Sequence, residues 1–236
     1  MPRTPLARAA RVPHLQSGRP PREEAHARRQ DRAEELLRAA SIVLARQGLR
    51  ATTMDEVAKG LGIPKAVLYR YFPSKDELIR SILRRVLNNW SELQARPWRG
   101  LRKNLLEVLA LARSDPSALI LLVRHCANDP DLHAFHECLR QTVVERTETL
   151  LKQNSEAMAA DKLMRSLCAQ AVTGFMFDAV LWWIEEGVEE RDADFLVWAR
   201  DSLNALYRRW LPDADWGGAR PTDSAPVKSR KVAKKP

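Results

Sequence analysis

The stretch TTMDEVAKGLGIPKAVLYRYFPSKDEL, Thr52 to Leu78, leaves the backbone few options. Thr53 stands three residues before Glu56, the spacing at which a hydroxyl and a carboxylate cap a helix start reciprocally. Met54, Val57, Ala58 and Leu61 then recur as one apolar stripe on a short helix. Gly62 supplies the left-handed residue that stops it. Pro64 suits the first turn of a second helix, where its missing N–H costs nothing. Leu68 and Phe72, four apart, pack back on the first helix and leave Lys65, Val67, Tyr69 and Arg70 facing out, with Tyr71 at the boundary. Ser74 to Glu77 reads as a second capping box that opens the next helix. Two short helices joined by a glycine turn, the second carrying basic and aromatic side chains outward, make a helix-turn-helix.

The remainder of the chain is helical in pattern. Alternation of strand type is hard to find over six or more residues, and runs of Ala, Leu, Arg and Glu favour helix; the fold class is all-α. A first helix is expected from near Arg29 to Gln47, with Leu36, Leu37, Ala40 and Leu44 on one face and Gly48 ending it. Another follows Ser74 and runs until Pro97 forbids it. Beyond it, Asp115-Pro116 restarts a helix, and Asp129 and Pro130 read as the N-cap and first residue of a long one. A further long helix spans about Ala157 to Glu186, and Asp192 caps the last, which ends before Pro212.

Charge divides the same way. Of the net +9, residues 1–32 carry eight arginines against three acids, while residues 91–212 carry fifteen bases against eighteen acids. Basic charge gathered on one module and two tails is the electrostatic footprint of nucleic-acid binding. Three well-separated cysteines predict reduced thiols rather than a disulfide framework. No signal-peptide h-region is visible. The most apolar run, Cys168 to Ile184, is interrupted by Gln170 and Asp178 and reads as too short to span a membrane. A cytoplasmic, nucleoid-associated protein with no membrane partner is expected.

Thr52-Thr53 with Val57-Ala58, then Gly62-Ile63 with Leu68-Tyr69-Arg70-Tyr71-Phe72, then Ser74-Lys75 with Leu78 resembles the N-terminal domain of the TetR family of bacterial transcriptional repressors. The likeness runs from about Gln30 to Leu87; Pro64 departs from the small hydroxyl residue often found at its position. The resemblance implies a three-helix DNA-binding domain over 28–76 and a helical ligand-binding and dimerisation domain over 77–212; composition without periodicity predicts a disordered basic arm over 1–27 and a disordered, Pro/Ser/Lys-rich basic tail over 213–236. It implies as partners a double-stranded DNA operator, a small-molecule effector and a second copy of the chain, and neither cofactor nor enzymatic activity. Thr53 and Lys75 would hold phosphates, and Lys65 and Arg70 would reach base edges or phosphates. Ala66 would let the helix approach closely, Val67 would touch a thymine methyl, and Tyr69 and Tyr71 would place hydroxyls on the duplex.

For dimerisation the small and apolar residues Cys168, Ala169, Ala171, Val172, Gly174, Phe175, Ala179 and Val180 suit close helix contact, matched by Leu196, Val197, Leu203, Leu206 and Trp210. Candidate effector-pocket residues are Trp98, Leu105, Leu122, His125, Cys126 and Phe135, with Phe175, Met176, Trp182 and Trp183 further on. In the arm, Gly18-Arg19-Pro20 is slim enough for a minor groove, although a solvated linker explains it too. His125, His133, His136 and Cys138 raise the alternative of a metal sensor or enzyme, but their spacing fits no zinc-finger pattern and no metal site is assigned. No phosphate loop, nucleophile elbow or catalytic triad is legible.

Overall fold

The computed structural model describes residues 22–211. The expected tails, including the Arg19 segment and residues 213–236, lie outside the described residues. What is described is helical, with no strand among the described residues. The order is α1 (Arg22–Gln47), α2 (Met54–Gly60), α3 (Lys65–Tyr71), α4 (Lys75–Ala95), α5 (Leu101–Ser114), α6 (Pro116–Ile120), α7 (His133–Asn154), α8 (Glu156–Ala160), α9 (Lys162–Glu186) and α10 (Asp192–Trp210).

Local chemistry sets the first half. Leu36, Leu37, Ala40 and Leu44 of α1 are buried against α2 and α4. The helix opens at Arg22, earlier than the apolar period implies, so residues 22–27 are helical rather than part of a disordered arm. Glu24 and Arg28, paired one turn apart at 3.2 Å, support that extension. Gly48 ends α1 at φ +88°. At the other end of the module, α4 stops at Ala95 because Arg96, the residue before Pro97, is held extended.

Four details differ from the sequence reading. Pro64 is the N-cap of α3, at φ −60° and ψ 139°, and not its first helical residue. Ser74 accepts the Glu77 N–H at 3.1 Å, but the Glu77 carboxylate turns to Arg84 at 2.9 Å, so this cap is not reciprocal. Asp129 does not cap α7, which begins at His133: its carboxylate receives the Arg50 guanidinium at 2.7 Å and the Asp131 N–H at 3.0 Å. Asp192 sits inside α10 and receives Trp183 Nε1 at 2.7 Å and Arg113 at 2.8 Å, leaving Arg191 at the cap position.

One continuous core runs from α1 to α4 into α5, α6, α7, α9 and α10, so the helix-turn-helix and the helical body share their packing through α4. A smaller cluster of Val144, Leu151, Met158, Cys168, Ala169 and Leu211 closes the far end. Polar ties cross the same boundary. Asp115 accepts the Ala118 N–H at 3.2 Å as cap of α6, the Ser41 hydroxyl of α1 at 3.2 Å, and the guanidinium of Arg85 on α4. Arg50, in the turn after α1, reaches Asp129 and Asp131, both at 2.7 Å. By length and composition α9 meets the requirement for a membrane span, contrary to the sequence reading; in the structure one face of it packs on α5, α7, α8 and α10.

Candidate functional site

The geometry of the helix-turn-helix follows from its caps. The Thr53 hydroxyl accepts the Glu56 N–H at 3.2 Å, and the Glu56 carboxylate accepts the Thr53 N–H at 2.7 Å. The Thr53 backbone and side-chain donors to that carboxylate hold the Glu56 carboxyl below its usual range. The Thr53 hydroxyl also donates to that carboxylate at 2.8 Å, so it is already engaged before any phosphate arrives. At the far end of α2, the Ile63 N–H bonds the Ala58 carbonyl and the Gly62 N–H bonds the Lys59 carbonyl, each at 3.1 Å, a Schellman closure. It requires Gly62 at φ +65°; nothing lies within 4 Å of a Cβ there, so a side chain would meet only the backbone strain of about 1–2 kcal/mol.

This turn aims α3. Leu68 is fully buried and Phe72 follows it inward, while Lys65, Ala66, Tyr69 and Arg70 are exposed on the opposite side. Val67 and Tyr71 are half-buried at the margins. The Lys65 ammonium pairs with Asp55 at 2.6 Å and lies 5.5 Å from the centre of the Tyr69 ring. Asp55 raises the Lys65 pKa, so the side chain is cationic at neutral pH. An exposed pair of this kind contributes little to stability. Arg70 lies 5.5 Å from the Tyr71 ring and Arg29, from α1, lies 5.9 Å from it. Arg29 also donates to the Arg70 carbonyl at 3.5 Å, which brings a base absent from the sequence-derived set to this face. Its only sequence signal was the basic run Arg28, Arg29, Arg32. Lys75 donates to the Arg50 carbonyl at 2.9 Å and so fastens the α1–α2 turn.

Behind this face the helical body encloses a cleft with about 970 Å³ of empty space, its mouth included. Trp90, Leu105, Leu139, Val143 and Met176 line it, with Asn104, Arg146 and Thr173 as polar points. Of the sequence-derived pocket residues it takes Trp98, Leu105 and Met176. Leu122 and Cys126 are fully buried in the core, and burial pushes the Cys126 thiol up to about 12. His125 is exposed, and Phe135 lies under Arg80, 5.9 Å from ring centre to guanidinium. Phe175, Trp182 and Trp183 line a separate open groove between α9 and α10.

The apolar residues of α9 divide between two faces. Cys168, Ala169, Val172 and Val180, expected at a dimer surface, are buried within the chain, as is Leu203 of α10. Leu167 and Trp182, 59% and 57% exposed, mark the outward face with Ala171, and Val197 and Trp198 continue it on α10. No group of three His, Cys, Asp or Glu that could hold a metal occurs among the described residues. His133 Nδ1 is engaged with the Ala127 carbonyl at 2.7 Å, and its ring centre is 6.1 Å from that of His136. The metal-sensor alternative therefore has no assembled site.

A glycine-turned pair of short helices, carried by a helical body with an internal cleft, defines a helix-turn-helix fold. Residues 36–82 match the model of the bacterial regulatory proteins of the tetR family. The transcriptional repressor KstR2 of Mycobacterium tuberculosis is 44% identical over 57 residues, 24% of this chain and 28% of the relative. The transcriptional activator FasR of Mycolicibacterium smegmatis is 44% identical over 61 residues, covering 26% and 28%. The chain thus spans little more than a quarter of the length of these curated relatives. A crystal structure of a TetR-like transcriptional regulator from a Rhodococcus species superposes with a TM-score of 0.59 at 25% identity, over 75% of this chain and 94% of that one.

Proposed function

We propose that this protein is a DNA-binding transcriptional regulator, a homodimeric repressor that leaves a palindromic operator when a small molecule fills the cleft of its helical body. The observation that carries the reading is α3: Leu68 anchors one side in the core while Lys65, Tyr69 and Arg70 stand together in solvent on the other. A helix so presented suits a major groove, with the lysine and arginine on phosphates or base edges and the tyrosine hydroxyl beside them. One seven-residue helix covers few base pairs. Two copies reading an inverted repeat supply the missing specificity, and the exposed Leu167, Ala171, Trp182, Val197 and Trp198 face on α9 and α10 is the surface offered for pairing. The cleft touches α4 at Trp90 and Gln94, so an occupant that favours one position of α4 shifts the DNA-reading face by its differential affinity. On this reading the protein works in the cytoplasm, on the nucleoid.

Titrating operator-bearing DNA at several salt concentrations tests the reading. With roughly 6–10 phosphate contacts, affinity is expected to fall about 10³–10⁵-fold between 50 and 200 mM salt. An affinity indifferent to salt would rule out a backbone-gripping mode.

A further inference from the structure

Arg146, on α7, is out of place by the ordinary rules for a charged side chain. It lines an apolar cleft, yet no carboxylate lies within ion-pair reach of it among the described residues. Two of its amino groups are turned to backbone: one donates to the Gln94 carbonyl near the end of α4, the other to the Arg96 carbonyl at 2.9 Å. Its Nε–H is buried without a partner. Glu107 acts on it only through space, and burial pulls the guanidinium below its ordinary pKa range. A half-buried cation that lacks a counter-charge is costly to maintain.

Thr173 of α9, 1% exposed and lining the same cleft, adds a second unmet group. Helical threonines usually return their hydroxyl to the carbonyl one turn back, as Thr142, Thr147 and Thr149 do here at 2.8, 2.9 and 2.8 Å. The Thr173 hydroxyl has no such partner. An anion-seeking guanidinium and an unpaired hydroxyl, set among Trp90, Leu105, Val143 and Met176, describe a site whose polar half is incomplete when empty.

We propose that the cleft takes an apolar monocarboxylate, its body along the tryptophan and leucine wall and its carboxylate on Arg146. A planar, singly charged acceptor matches one guanidinium in shape and charge, whereas a neutral apolar molecule leaves Arg146 as it was and a multiply charged one brings anionic charge that nothing balances. The carboxylate also competes with the carbonyls of Gln94 and Arg96 for the same guanidinium. The ligand thereby acquires a direct hold on the last turn of α4, the helix that leads back to the DNA-reading face. That regulatory consequence rests on the function proposed above; the binding itself does not.

Calorimetry on the full chain without DNA tests it, with decanoate and 1-decanol as probes of equal length that differ in charge. Wild-type protein is expected to prefer decanoate by about ten-fold or more, the scale of a charge-assisted hydrogen bond. Arg146→Gln should erase the preference while leaving 1-decanol affinity within about threefold, and Arg146→Lys should restore much of it. Equal affinity of wild-type protein for both probes, a preference that survives in Arg146→Gln, or no binding of either would overturn the assignment. In a separate arm, decanoate should lower operator affinity of the wild type and not of Arg146→Gln. If calorimetry succeeds and that arm fails, the cavity assignment stands and ligand release of the operator is wrong.

Discussion

Lys65→Ala and Tyr69→Ala are each expected to abolish operator binding under physiological salt while the proposed dimer and the fold persist. Both side chains are solvent-exposed on α3, and neither is among the buried residues that hold the helix to α2 and α1. The lysine change removes a cation and leaves Asp55, its partner at 2.6 Å, as an unopposed negative charge facing the duplex. Because the proposed dimer presents the face twice, one lost charge-assisted contact per copy compounds to a loss of roughly 10²–10⁴-fold in affinity. The tyrosine change removes a hydroxyl and also the ring that lies 5.5 Å from the lysine ammonium and steadies it. Anisotropy titration reads the affinity and sedimentation reads the dimer. Either variant binding as wild type does would remove that residue from the interface.

Asp115→Ala is expected to cost the most stability of any single change outside the apolar core. The carboxylate meets the α6 backbone, the Ser41 hydroxyl and the guanidinium of Arg85 together. Arg85 is 8% exposed, and its only other acid among the described residues is Glu34, at 3.7 Å. Taking away the acid strands that cation and uncaps α6, a loss of about 3–5 kcal/mol for the broken buried pair with about 1 kcal/mol more for the cap. Asp115→Asn retains an acceptor for the cap and should recover that smaller part alone. Urea unfolding followed by circular dichroism measures both; an Asp115→Ala loss under about 1 kcal/mol would mean Arg85 finds other compensation.

The legible parts of this molecule are those fixed by neighbours in sequence. Thr53 with Glu56, Gly62 before Pro64, and Leu68 with Phe72 each act across a few residues, so the two short helices and the outward face of α3 could be read directly. Where a distant partner intervened, the reading failed. Asp129 has the makings of a cap, but Arg50, 79 residues away in the chain, takes its carboxylate. On α9 apolar side chains run round the whole helix, so periodicity gave no means of deciding that Val172 and Val180 turn inward while Leu167 and Trp182 turn out. Arg146 was silent for the opposite reason: an arginine in an amphipathic helix reads as a solvent-facing charge, and only the three-dimensional surroundings reveal that it lines a cleft without an acid beside it. The early start of α1 went unseen because residues 22–28 carry charge and alanine without an apolar stripe.

Nuclease footprinting of the purified protein on its bound genomic fragments, in low-salt buffer, is the most direct examination of the idea that α3 reads DNA in pairs. The expected pattern is an inverted repeat protected on two half-sites about one helical turn apart, ~34–36 Å between centres, and absent with Lys65→Ala. Uniform or single-sided protection, or the same paired footprint from the Lys65→Ala protein, would contradict it.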